Sequence, residues 1–150
     1  MELKDKLSEA TKVAMKARES ARVSTLRMIA SAVKDREILA RGEGAEVSDA
    51  DLLAVLGKMV KQRQESAKAY AAGNRPELAA KEMAEIAVIE EFLPSQLGEA
   101  EVEAAIAAAV AEVGALSVKD MGRVMAALKA RYTGQMDFGA AGAKIKARLG

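Results

Sequence analysis

Apolar residues recur at intervals of three and four from Leu3 to Leu149, and no stretch of useful length alternates apolar with polar. A strand shows a period of two and a helix one of about 3.6, so this pattern admits helices and little else. The expected fold is all-α. The sharpest break falls at Pro94, which lacks a backbone donor and pushes Leu93 out of the α region. The helix carrying Ile86 and Ile89 should therefore stop near Phe92 or Leu93. Long charged helices precede that corner and shorter ones follow it. This predicts an N-terminal long-helix arm or bundle over residues 1–93 and a small C-terminal three-helix bundle over residues 94–150.

In chain order, Leu3, Leu7, Ala10, Ala14 and Ala17 form the modest stripe of a first helix. Ser20 is placed to cap a second, with Val23, Leu26, Ala30 and Val33 on one face and Ile29 widening it. Gly42 and Gly44 supply a turn. Ser48 and Asp51 have capping-box spacing, so a third helix starts there and carries Leu52, Val55, Leu56, Met59 and Val60 inward. Gly73 is expected to end it in the left-handed conformation, and Pro76 suits the first turn of a fourth helix with Leu78, Ile86, Ile89 and Leu93 buried. Beyond Pro94, Glu99 to Val113 presents Val102, Ala105, Ile106, Ala109 and Val110 on one face, and Gly114 stops it. Ser117 and Asp120 repeat the capping spacing before Met121, Val124, Met125 and Leu128. Gly122 costs that helix about 1 kcal/mol against Ala, which predicts a close approach by a neighbouring helix there. A loop from Thr133 to Gly139 leads to a last helix around Ala141 to Leu149, with Ile145 and Leu149 buried.

The 150 residues suffice for a sizeable core, but aromatic content is only 3%, so that core must come from aliphatic side chains, Ala and eight Met. Cys and His are both absent. That removes disulfides, thiolate nucleophiles, Cys/His zinc sites and imidazole acid-base chemistry, leaving an all-carboxylate Mg²⁺ site formally open. Glu82, Glu85, Glu90 and Glu91 read as a solvated face, because helix-bundle metal sites of this kind draw on Glu-x-x-His pairs. Lys58, Lys61, Arg63 and Glu65 read as ordinary helix-surface pairing or packing against the fourth helix. The glycines follow no phosphate-loop order. No catalytic, cofactor or metal residues are assigned. The first ten residues are charged and no apolar run approaches a membrane span, so the expected location is cytoplasmic with no membrane association.

Net charge is only +1, but it is unevenly distributed. Residues 1–41 hold ten basic against six acidic side chains, whereas the Glu43 to Asp51 loop carries four acids and no base. Residues 94–118 carry four Glu and no base, and residues 119–150 hold seven basic against two acidic side chains, net +5. Lys119, Arg123, Arg131, Lys144 and Lys146 are the candidate phosphate contacts. Each phosphate neutralised contributes about 0.9 to the logarithmic salt slope on duplex DNA, so such a patch implies weak, salt-sensitive binding. The bland alternative is a set of solvated helix faces whose charges complement the helix dipoles.

Three ordered strings, STLRMIASAVKDREI (24–38), KMVKQRQESAKAYAAGNRPELAAKEMAEIAVIEEFLPSQL (58–97) and KDMGRVMAALKARYTGQMD (119–137), resemble the YqeY family, also described as GatB/YqeY-domain proteins. The C-terminal part is similar to the tail of the B subunit of glutamyl/aspartyl-tRNA amidotransferase. The resemblance implies an N-terminal helical part and a C-terminal helical bundle, with tRNA or a tRNA amidotransferase as partner. The modest stripe of the first helix separately leaves apolar area for another protein or a second copy to cover. It also implies the family's label of glutamine-dependent carbon–nitrogen ligase activity, for which this chain offers no catalytic residues. Matching motif positions are Lys119, Asp120, Met121, Gly122, Val124, Met125, Gly134 and Asp137. Lys119 and Arg123 are the positions expected to reach phosphate. The family's loop commonly continues with Gly after the Asp, whereas Phe138 intervenes here before Gly139.

Overall fold

The structure, a computed structural model, describes residues 2–150. Among these, seven α-helices and one short 3-10 turn are joined by brief connections, so the protein is all-α. The chain divides into two compact units, Met1–Pro94 and Ser95–Gly150, one residue beyond the expected boundary.

The first unit comprises α1 (Glu2–Lys16), α2 (Ser20–Gly42), α3 (Asp49–Ala72) and α4 (Pro76–Glu90). It is a bundle, because all four contribute to one core: Leu3 and Leu7 from α1, Leu26 and Ile29 from α2, Leu52 and Leu56 from α3, and Ile89 from α4. The capping box forms as its spacing implies, with the Asp51 N–H donating to Ser48 Oγ at 3.2 Å and the Ser48 N–H donating to Asp51 Oδ2 at 2.9 Å. Pro76 opens α4 at a position where its missing N–H costs nothing.

Several local expectations are corrected. Ser20 is the first residue of α2 rather than its cap, and Glu19 occupies the cap position without a side-chain bond. Gly73 has φ −85°, and Asn74, with φ 57°, takes the left-handed position instead. Asn tolerates that region better than most side chains, and the Arg75 N–H closes the turn onto the Tyr70 carbonyl at 2.8 Å. Helix α4 ends at Glu90, ahead of Phe92 and Leu93. Glu91, Phe92 and Leu93 then donate to carbonyls three residues back, tightening the chain into its corner before Pro94. Leu78 is exposed, because the first turn of α4 lies outside the shared core, and the stripe residues Ala17 and Ala30 are exposed as well.

The second unit packs α5 (Glu99–Val113), the 3-10 turn Val118–Asp120, α6 (Met121–Tyr132) and α7 (Phe138–Leu149) around Ile106, Ala109, Val124, Leu128, Ala141 and Ile145. Gly114 has φ 64°, the left-handed geometry that ends α5. Helix α7 starts earlier than its apolar pattern suggests, because the Asp137 carboxylate accepts from the N–H groups of Gly139 and Ala140 at 2.9 and 3.3 Å. Phe138, the departure from the family's loop, is half-buried against the core. The close approach expected at Gly122 occurs at Gly142 instead. A Cβ on Gly142 would lie 3.3 Å from Met121 Cε, whereas one on Gly122 would meet nothing within 4 Å. Gly122→Ala is accordingly expected to stabilise the second unit by up to about 1 kcal/mol. Thermal unfolding checks this, and a loss of stability would reveal a contact at that face.

Candidate nucleic-acid interface

The cations of the second unit are set by its helix ends. Ser117 and Leu116 both donate backbone N–H groups to Asp120 Oδ2, at 3.3 and 2.9 Å, which folds the connection after Gly114 into the 3-10 turn. That turn leaves Lys119 exposed. The end of α7 meets it there: a Cβ on Gly150 would lie 3.6 Å from Val118 Cγ2. Lys119 from the turn and Lys146 and Arg148 from the last turn of α7 therefore stand at one end of the unit, and none has an ion pair among the described residues.

The other three predicted contacts are engaged. Arg123 Nη2 reaches Asp120 Oδ1 at 2.6 Å, and its Nη1 donates to the Val113 carbonyl at 3.2 Å, so this side chain closes the carboxyl end of α5. Arg131 lies 2.9 Å from Glu112 and Lys144 lies 3.2 Å from Glu103, both on α5. The acidic helix thus takes up part of the basic segment's charge, and the unit as a whole holds seven basic and six acidic side chains. Of the five residues singled out from the sequence, Lys119 and Lys146 remain unpaired, and Arg148 joins them. Arg123 and Arg131 are more than half exposed, so their pairs are of the kind that contributes at most about 1 kcal/mol and yields to competing anions.

The same corner carries Leu116, 91% exposed, and Val118, 40% exposed. Sequence reasoning passed over Leu116. Its signal is present, since it is a large aliphatic residue between a helix-stopping Gly and a capping Ser, with no helical stripe to join.

Three carboxyls titrate below their usual range. The Leu116 N–H, the Arg123 guanidinium and the Ser117 N–H hold Asp120 down. The Ser48 N–H and hydroxyl do the same for Asp51. Glu91 is lowered by Arg22, which clasps it through two hydrogen bonds of 2.6 and 2.8 Å. A carboxyl with a depressed folded-state pKa binds fewer protons folded than unfolded. Its contribution is complete above the unfolded value, near 4, and is lost as pH falls through the folded value. Stability is expected to fall on acidification below about pH 4, and Asp120→Asn should make that fall shallower. Melting temperature against pH checks this, and an unchanged slope in the variant would contradict it.

Among the described residues no group of three or more His, Cys, Asp or Glu stands together to hold a metal ion, and no helix is long and apolar enough to cross a membrane. The fold defines a two-unit helical protein, and this corner of its second unit carries exposed cations and aliphatic side chains. The chain belongs to the family described as Yqey-like protein, which matches residues 4–149. It is similar to "Altered inheritance of mitochondria protein 41, mitochondrial" of Meyerozyma guilliermondii, 37% identical over 84 residues, 56% of this chain and 42% of that protein. The like-named proteins of Clavispora lusitaniae, 37% identical over 84 residues (56% and 47%), and Saccharomyces cerevisiae, 30% identical over 82 residues (55% and 43%), match comparably. The chain spans less than half the length of these curated fungal relatives.

Proposed function

We propose that the protein is a noncatalytic binding module whose second unit holds the backbone of a transfer RNA, acting alone or in association with a tRNA amidotransferase. The observation that supports this reading is that Lys119 in the 3-10 turn and Lys146 and Arg148 in the last turn of α7 have no ion pair among the described residues, and that these two elements meet at Val118 and Gly150. This set lies in the part of the chain that resembles the amidotransferase B-subunit tail. Three direct contacts imply a salt slope of about 2 to 3, and exchange of Arg123, Arg131 or Lys144 from carboxylate to phosphate would add to it. The family's carbon–nitrogen ligase label stands outside this reading, because no side chain here is equipped to release or transfer ammonia. The cytoplasmic location expected from the sequence belongs to the proposal, whereas the fungal relatives are mitochondrial by name.

Filter binding of bulk tRNA across a salt series tests it. The doubly substituted chain Lys119→Glu/Lys146→Glu is expected to lose about 2 from the salt slope and most of its low-salt retention. Retention unchanged by these substitutions would remove this corner from the interface. The rival reading is a helical protein-interaction module without RNA. It is favoured by Val13 and Met15, both more than half exposed near the end of α1. Its partner is another protein or a second copy, and sizing of the chain with and without its first helix tests the second case, since a monomer in both forms counts against self-association.

A further inference from the structure

The first unit holds an open groove of about 920 Å³ along α2, between the end of α1 and the middle of α3. Its lining mixes Met15, Val23, Met28 and Met59 with three serines of α2 and with Arg18 and Arg27. Its lining on α2 runs from Ser20 to Asp35, about 22 Å of helix, which matches a partner helix of four turns. Thioether side chains adapt to varied apolar partners and recur where amphipathic helices dock.

Charge selects among such helices. The third arginine of the lining, Arg63, is held by Glu85 at 3.0 Å and by the Met59 carbonyl at 3.2 Å, so its charge is answered within the unit. Arg18 and Arg27 have no ion pair among the described residues, and Asp35 is the one acid in the lining. Arg18 also has φ 58°. A non-glycine residue is strained in that region, because its Cβ crowds the following carbonyl oxygen. The turn closing α1 keeps it there, with the Arg18 N–H on the Met15 carbonyl at 3.1 Å and the Glu19 N–H on the Ala14 carbonyl at 3.0 Å. Such positions cluster at binding sites, and glycine would occupy this one without strain.

We propose that this groove receives an acidic amphipathic helix of a partner protein, its apolar face on the methionines and its carboxylates on Arg18 and Arg27. The inference gives protein interaction a site and a partner chemistry in the first unit, and it goes beyond the RNA-binding reading of the second unit without depending on it. The methionines of the lining and only two free cations suit a peptide better than an RNA backbone, which calls for a longer track of positive charge.

The test uses the full chain and two labelled 18-residue designed helices with a Leu/Met face, one carrying Glu on its polar face and the other Lys. Fluorescence anisotropy is expected to show the Glu helix binding at least about tenfold tighter, and Arg27→Glu is expected to invert that preference. Arg18→Gly should weaken the Glu helix about fivefold while leaving the melting temperature equal or higher, which separates recognition from folding. Equal affinity for the two helices, indifference to Arg27→Glu, or displacement of the Glu helix by bulk tRNA would overturn the proposal. Sizing of the chain beside a Met28→Glu variant separates failure of this site from failure of the broader reading. A dimer dissolved by that substitution would show the groove covered by a second copy and would also overturn the acidic-helix assignment.

Discussion

Ile89→Ala is expected to destabilise the first unit by about 3 to 4 kcal/mol, measured as a shift in the urea midpoint of its amides with little change in slope. Ile89 is fully buried in the core shared by α1, α2, α3 and α4. Of the chain's few aromatic side chains, Phe92 packs against this core, but the tight turn before Pro94 holds its backbone, so it can fill only part of the space left by a missing aliphatic side chain. Most of the cavity would persist, placing the cost toward the upper part of the usual range for such truncations. A loss under about 1 kcal/mol would mean that α4 packs more loosely than its burial implies.

Arg63→Met is expected to cost about 2 to 3 kcal/mol, because it leaves the Glu85 carboxylate, only 15% exposed, without its partner. Arg63 links three helices: its Nε bonds Glu85 on α4, its Nη1 bonds the Met59 carbonyl on its own α3, and its Nη2 lies 3.6 Å from Met28 Sδ on α2. Introducing Glu85→Gln into the Arg63→Met background should recover most of the loss, since the uncompensated charge is then gone. Chemical denaturation of the two single variants and the double variant checks this. Additive effects would show that the pair is decorative and that Arg63 acts through its aliphatic stem alone.

Helix period made the fold class and most of the core legible in the sequence. Leu26, Ile29, Leu52, Leu56, Ile106, Val124, Leu128 and Ile145 all occupy the inward faces assigned to them. Ser48 with Asp51 was readable because both halves of that cap lie within one turn. What escaped notice depends on which helix meets which. Gly122 and Gly142 look alike locally, and only the pairing of α6 with α7 puts Met121 against Gly142. Leu78 follows the stripe of α4 but lies beyond the helices that could cover it. Gly73 and Asn74 are neighbours that both tolerate the left-handed region, and the bond from Arg75 to Tyr70 selects Asn74.

The candidate interface shows the same division. Summing charge along the chain located a basic segment beside an acidic one, yet summation along a chain contains no distances. In space Glu112 faces Arg131 and Glu103 faces Lys144, which divides five apparently equivalent cations into engaged and unengaged groups. The methionine-bearing groove was equally hidden, because Met15, Met28 and Met59 come from three different helices.

The central claim, that the second unit binds RNA through the corner where the 3-10 turn meets the end of α7, is most directly tested by titrating bulk tRNA into the isotope-labelled 15.8 kDa chain and following its amide resonances. The account predicts that salt-reversible perturbations will centre on Leu116 to Lys119 and on Lys146 to Arg148. Perturbations centred on the α2 groove, or none at low salt, would contradict it.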